Sequence, residues 1–472
     1  MAGESARRQD GERASDGTAL PDSSTPRLLD SISAAARQRH EETVALLQEL
    51  VRVPSVNPYF TGTHGPSREG DVQDILADRL VRLGAQLDRW EPDAGDLAGY
   101  TGGPGYYPNR DFGGRPNLVA TLTGSGGGRS LLLLGHVDVV SAGAGWTVNP
   151  FGADRRDGVV YGRGTADMKA GLTAAVAALE VLRAAGVGLR GDVIFASVVD
   201  EEAGGMGTLA LVDRGYRADG AIIPEPTDLH VAPLCRGIVW GRLTIPGRAG
   251  HIEMPQPHWR EGGAVDAIAL GRAVLDAVDR LNARWAASPS KRHPLLPLPC
   301  QVKVSMLDAG EYPTAYASGM RITFDAQYLP AERDERGLGG HVKTELEHFF
   351  ADVAGQDEWL QEHPPRIEWL IDADCAETPG DHPLTQTLHA AARLAGAESR
   401  VEGMSSHTDM GLLVNAGIPT VNFGPGVPSI AHQPDEHVTE RDLQQATLAL
   451  ALAMAEWCGW EESHERAIPI TL

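Results

Sequence analysis

Cysteine is scarce in this chain of 472 residues. The four present, Cys235, Cys300, Cys375 and Cys458, lie far apart and form no Cys-x-x-Cys pair. That excludes a thiolate metal site or a disulfide framework and fits a reducing compartment, so a cytoplasmic location is expected. No apolar run reaches the ~18 residues that a membrane helix requires, so no membrane partner is expected. There is no long basic run, and the formal net charge is −23. Nucleic acids and anionic membrane surfaces both demand a positive footprint, so neither is expected as a partner. Also missing are a P-loop, a GxSxG elbow, an HExxH pair and a GxGxxG turn with its acidic ribose partner. The first 26 residues are polar and lack an apolar h-region, so they read as a disordered tail rather than a secretory leader.

What is present is ordinary globular composition, with 42% hydrophobic and 22% charged residues. At ~150 residues per domain, the length suggests two or three domains. Helical stretches such as LLDSISAAARQRHEETVALLQELVRV and KAGLTAAVAALEVLRAAG alternate with short apolar runs: NLVATLTG, SLLLLGHVDVV, DVIFASVVD, GAIIPEP and IPTVNFGPG. Such alternation implies βαβ units and a buried, mostly parallel sheet. Residues 237–372 have another rhythm, β-α-β-β-α-β, which is the ferredoxin-like order. The expected architecture is therefore α/β. One unit is formed by residues 27–236 and 373–472, and 237–372 are inserted into it.

Ionisable residues gather where the apolar runs end. His136 and Asp138 close LLLLGHVDVV, Glu201 and Glu202 follow FASVVD, Glu225 follows AIIP, and His432 lies in IAHQPDEH. Asp167, in YGRGTADMKAG, precedes the long helix instead. Ligands of parallel sheets collect beyond the carboxyl ends of the strands. Each residue alone has a plainer reading. His136 is a strand-end histidine satisfied by Asp138, Asp167 a helix N-cap, and the acidic run a solvated loop. Glu225 is a surface residue, and His432 a loop histidine. Together they form the mixed His/carboxylate set that metal-assisted hydrolysis needs. In that reading His136 binds metal while Asp138 holds its ring, and Asp167 bridges two ions. Neighbours in an extended segment point opposite ways. Glu202 can then bind metal while Glu201 stays free as general base and acid.

The motifs LLLLGHVDVV, GRGTADMKAG, VVDEEAGG, PEPT, GRAGH and AHQPDEH resemble those of a dinuclear zinc amidohydrolase and metallopeptidase family. It includes acetylornithine deacetylase, succinyl-diaminopimelate desuccinylase, aminoacylases and carboxypeptidase G. The resemblance spans roughly residues 40 to 455. It implies a zinc-peptidase-like catalytic domain, an inserted lid and dimerisation domain, and a homodimer. One metal ion would be held by His136, Glu225 and Asp167, the other by Asp167, Glu202 and His432. Zinc is favoured by donor type, with cobalt or manganese compatible. Glu201 would take a proton from the attacking water and return it to the leaving amine. His251, in GRAGH, matches a histidine that stabilises the oxyanion, often across a dimer interface, a role worth ~3–4 kcal/mol. His407 in GMSSHTDMG and Gly424 in GIPTVNFGPG fall in segments where the family meets its substrate.

Two departures bear on substrate. FDAQYLP places Gln327 where the family carries an arginine that grips a substrate carboxylate, a charge glutamine cannot replace. AGEYPTAYASG lacks the family's asparagine, with Thr314 in that stretch. The expectation is a metal-dependent amidohydrolase that removes a small acyl group from an amine or amino-acid-like substrate. A dipeptidase or carboxypeptidase is the alternative within this chemistry. A non-catalytic ligand-binding homologue is the alternative outside it.

Overall fold

The computed structural model describes residues 24–59 and 67–462. The expected tail, 1–26, lies outside the described residues as far as residue 23, and a helix, Ser24–Gln38, begins directly after it. The run LLLLGH forms strand Leu131–His136 inside a six-stranded sheet. The strand order is Gln86–Trp90, Asn117–Leu122, Val193–Val198, Leu131–His136, Ala221–Ile223 and Thr420–Asn422. The last four run parallel to one another, and Asn117–Leu122 alone runs against the rest, antiparallel to both its neighbours, so the sheet is mostly parallel, as expected.

Successive side chains of a strand point to opposite faces. Leu131 and Leu133 enter one core with Val193, Phe195 and Ile222. Leu132 and Leu134 enter another with Ile194, Ala196 and Ile223. Both faces are therefore covered, which is why these runs are apolar at every position rather than at every second one. Helices Ser24–Gln38, His40–Val51, Ala170–Ala184 and Glu440–Cys458 pack together over the first core. Ala170–Ala184 comes close to the sheet at Gly171, where a Cβ would lie 1.8 Å from the Pro224 carbonyl oxygen.

A second, four-stranded antiparallel sheet has the order Val302–Ala309, Gly319–Tyr328, Gly237–Pro246 and Arg366–Ala373. Helices Ala267–Ala287 and Gly340–Ala354 cover one face, and Phe324 meets Phe350 there with ring centroids 5.6 Å apart. Val239, Leu243 and Ile245 are buried in this core. Ile238 and Trp240 alternate with them and point the other way. Directly paired residues share a face of an antiparallel sheet. Trp240 pairs with Asp325 and Ile371, and Ile238 with Gln327 and Ala373. Ile238, Trp240, Ile371 and Ala373 line the same cavity as Glu201 and Glu225 from the first sheet.

The Gly171 contact generates a test of the packing. Gly171→Ala can be accommodated only by moving the helix or the Pro224–Glu225 turn, at a cost of about 1–3 kcal/mol. Thermal unfolding should show a lowered midpoint and calorimetry a weaker divalent-metal affinity. If neither changes, that backbone approach does not hold the turn.

Candidate metal centre and active site

The carboxyl ends of the parallel strands deliver most of the site. His136 is the last residue of its strand. Asp200, with a left-handed φ of 72°, ends the run Val193–Val198 and starts a single 3₁₀ turn, Glu201–Ala203. Residues of a 3₁₀ turn are rotated by about 120° from one another. Glu201 and Glu202 therefore diverge by helical rotation, not by the extended alternation expected from sequence. Glu225 follows Ala221–Ile223, and His432, left-handed with φ 63°, follows the short turn Pro428–Ile430. Asp167 sits in the irregular turn Thr165–Lys169 and does not cap the helix that follows.

These side chains converge on Asp167. His136 Nε2 lies 3.1 Å from Asp167 Oδ1 and 3.7 Å from Glu225 Oε1. His432 Nε2 lies 3.4 Å from Asp167 Oδ2 and 3.2 Å from Glu202 Oε2. The aspartate thus turns one oxygen to each histidine, and the donor atoms of each triad lie within 4.8 Å of one another. Glu201 stands beside them, its Oε2 3.8 Å from His136 Nε2. All but the fully buried His136 line a cavity of about 360 Å³.

The supporting contacts differ from expectation at Asp138. His136 Nδ1 meets the Asp138 backbone carbonyl at 2.9 Å, while the carboxylate Oδ1 is 3.6 Å away. That carboxylate instead accepts the N–H groups of Glu201 and Glu202 at 3.3 and 3.1 Å, and the Asn57 amide at 2.8 Å. Asp138 orients the histidine through its main chain and the glutamate turn through its side chain. Glu436 plays the matching part for Asp167. Its Oε1 accepts the N–H groups of Ala166 and Asp167 at 2.8 and 3.1 Å, and its Oε2 pairs with buried Arg163. Sequence reading missed both Asn57 and Glu436. Glu436 stands in the same AHQPDEH segment as His432, which was its only signal.

The charge balance tests whether cations fit here. Asp167, Glu201, Glu202 and Glu225 line the cavity, and among the described lining residues none is Lys or Arg. Burial raises Glu201 well above the usual glutamate range against the pull of His136. Burial, reinforced by Asp167, does the same to Glu225. His136 also moves up: burial opposes its charged form, but Asp138, Asp167, Glu201 and Glu225 outweigh it. Glu202 and Asp167 hold the half-exposed His432 up to about 11. Opposite charges favour the charged form and like charges disfavour it, so this pattern marks negative charge that the residues do not neutralise. Glu202 Oε1 is moreover buried without a hydrogen-bond donor among the described residues. An orphaned buried acceptor costs about 1–3 kcal/mol, more if charged. Divalent cations at the two triads would relieve both deficits, and imidazole with carboxylate is a donor set that suits them.

The other expected site residues are placed differently. His407 lines the cavity, its Nδ1 lies 2.9 Å from the Asp374 carbonyl oxygen, and burial lowers its pKa to about 4. It groups with Glu201 and with buried Asp409. Gln327 is not among the described lining residues; its Oε1 accepts from Arg236 Nη1 at 2.6 Å. Gly424 also lies outside that lining. It packs on the Glu225 turn, where a Cβ would come within 2.4 Å of the Pro224 and 2.6 Å of the Glu225 carbonyl oxygens. His251 is exposed and outside the lining, and its Nδ1 accepts the Glu253 N–H at 3.3 Å.

Two histidine–carboxylate triads that share an aspartate have a common chemical use, polarising a carbonyl and activating water, which puts the chain among the metallohydrolases. Residues 132–456 match the model of peptidase family M20/M25/M40, and the chain belongs to that family. It is a metal-dependent hydrolase of amide bonds. The N-formyl-4-amino-5-aminomethyl-2-methylpyrimidine deformylase of Halalkalibacterium halodurans is 30% identical over 452 residues, covering 91% of this chain and 98% of that protein. The succinyl-diaminopimelate desuccinylase of Methylobacterium radiotolerans is 28% identical over 428 residues, covering 86% and 94%. Human carnosine dipeptidase 1 shares the fold, with a TM-score of 0.66 at 17% identity over 91% of this chain and 99% of that one.

Two measurements follow from the charge balance. Stripping divalent ions with a chelator should lower the melting temperature, since a ligand at a hundred times its Kd stabilises by about 2.7 kcal/mol. An unchanged midpoint would mean the carboxylates compensate one another. Glu436→Gln, which weakens the hold on the Asp167 backbone, should reduce metal affinity about 10- to 100-fold by calorimetry. Wild-type affinity would remove Glu436 from the support of the site.

Proposed function

We propose that the chain is a metal-dependent deformylase, cleaving the formamide of a carboxylate-free amine of the aminomethylpyrimidine kind. The observation that carries this reading is the cavity itself. It offers four carboxylates and apolar walls from Ile238, Trp240, Ile371 and Met404, with no Lys or Arg among its described lining residues. Succinyl groups, amino acids and peptide C-termini all bring a carboxylate that a lysine or arginine would grip, and neither is among the described lining residues. The nearby guanidinium of Arg236 is buried and engaged by Gln327 and the Leu298 carbonyl. The deformylase relatives of Halalkalibacterium halodurans and Bacillus subtilis both align over 91% of this chain.

Two divalent ions at the triads, zinc by donor type with cobalt or manganese compatible, would supply Lewis acidity to the carbonyl and to water. Glu201 does the proton work. It belongs to neither triad and is held by its backbone N–H on Asp138, within 3.8 Å of His136. In that position it takes the proton of the attacking water and delivers it to the leaving nitrogen. Formate and the free amine result.

The same proposal assigns residues 27–236 and 373–472 to a catalytic domain and 237–372 to a lid and dimerisation domain, in a cytoplasmic homodimer. Support for the dimer comes from exposed Ile252, Met254 and Tyr312, and from Met306 and Leu307 on the edge strand Val302–Ala309. His251 adjoins this surface, and from a second copy it would stabilise the oxyanion.

Release of the free amine by the metal-loaded protein should occur with N-formyl-4-amino-5-aminomethyl-2-methylpyrimidine and not with N-succinyl amino acids or dipeptides. The reverse preference would assign the chain to the desuccinylase or peptidase side of its family. Glu201→Gln should keep its metal and lose turnover about 10²–10⁴-fold or more; unchanged turnover would remove Glu201 from the mechanism.

A further inference from the structure

We infer that Arg115 is a positioning residue for Glu201, its guanidinium tying the turn that carries the general base to the buried start of a helix. The inference rests on the reading of Glu201 as general base and deepens it by assigning what holds that group in place.

Glu201 needs such a hold more than its neighbours do. His136, Asp167, Glu202, Glu225 and His432 would each be fixed by a cation they bind, whereas Glu201 belongs to neither triad. Its place is set by its own turn, Glu201–Ala203, and by Asp200, whose left-handed φ of 72° starts that turn. Arg115 Nη2 donates to Asp200 Oδ1 at 3.2 Å and to Glu69 Oε1 at 3.1 Å, and its Nε pairs with Glu69 Oε2. Glu69 is the first residue of helix Glu69–Arg82. Asn57 joins this pair to Asp138, its amide donating to Asp200 Oδ1 at 3.3 Å and to Asp138 Oδ2 at 2.8 Å. Asp138 in turn accepts the Glu201 N–H. One connected network therefore holds both the side chain before Glu201 and the peptide of Glu201 itself. Glu69, Arg115, Asp200, Asn57 and Asp138 are all buried, so water does not compete for these bonds. A guanidinium presents its donors in a rigid fork and fixes two carboxylates at a set angle, which an ammonium does not. Arg115 also closes a glycine- and proline-rich stretch, 101–116, that grips the far end of the same turn. Arg110 Nη2 donates to the Ala203 carbonyl at 2.7 Å. The Tyr107 ring packs on Gly204, where a Cβ would lie 2.1 Å from its Cε2. Arg115 acts at the start of the turn, next to the base, and a misplacement of about 1 Å there can cost 10²-fold in rate.

The test is steady-state kinetics of zinc-loaded Arg115→Lys beside wild type. The substrate is N-formyl-4-amino-5-aminomethyl-2-methylpyrimidine, or whichever N-succinyl amino acid or dipeptide wild type hydrolyses in its stead. Lysine keeps the charge and loses the fork. The kcat should fall about ten-fold or more, while KM and the zinc content per chain stay at wild-type values. Asp200→Gly suits the left-handed backbone and removes the acceptor from the other side of the contact. It should reproduce the fall, which keeps the inference open to refutation if the lysine variant does not fold. In a Glu201→Gln background Arg115→Lys should cost nothing further, because the group it positions is gone. Wild-type kcat in either folded variant, loss of zinc together with kcat, or an equal loss in both backgrounds would overturn the inference and leave Glu201 as general base. A Glu201→Gln protein as active as wild type would instead reject the general-base reading, and the inference with it.

Discussion

Asp167 faces two histidines at once, and much of the fold is arranged to keep it there. Its peptide N–H and that of Ala166 are pinned by Glu436, which Arg163 holds in turn. The turn that carries it is fastened to the first helices by Lys169, whose buried Nζ donates to the Leu50 and Val53 carbonyls at 2.9 and 2.8 Å. Around it stand more carboxylates than the chain's own cations neutralise. Burying unpaired charge is expensive, so the apo site is a liability that bound cations convert into an asset. The parallel sheet makes this possible by delivering His136, Glu201, Glu202 and Glu225 to one edge.

The second sheet completes the cavity from the other side, and its contribution is mainly apolar. One strand face feeds the helix-covered core through Val239, Leu243 and Phe324. The other turns Ile238 and Trp240 toward the ligands. The period-two alternation of a single strand thus separates stability from recognition. The departure at Gln327 has a structural counterpart in Arg236. The guanidinium nearest that position donates to two neutral acceptors, Gln327 and the Leu298 carbonyl, and is not among the described residues that line the cavity.

Much of this was legible in the chain. Runs apolar at every position announced strands buried on both faces, and the acids and histidines at their ends announced where ligands gather. The β-α-β-β-α-β order of elements over 237–372 was readable from its changed rhythm. Long-range partnerships were not readable. Asn57 reaches Asp138 across 81 residues, Glu436 reaches Ala166 across 270, and Arg236 reaches Gln327 across 91. Periodicity tells which way a side chain points along its own element, but not which element faces it. Asp138 shows a second limit. Its importance was visible, yet its main chain, not its side chain, holds the His136 ring, and backbone contacts leave no residue-type signature. Glu201 and Glu202 do not lie in the extended segment that the sequence reading assumed, because the left-handed Asp200 starts a 3₁₀ turn there.

The claim most open to direct test is that one aspartate ties two cation sites together. Elemental analysis of the zinc-reconstituted protein, wild type beside Asp167→Ala, addresses it without reference to any substrate. The account predicts two ions per chain in wild type and loss of both in the variant. A variant that keeps one ion at full affinity, or a wild type that takes up none, would contradict it.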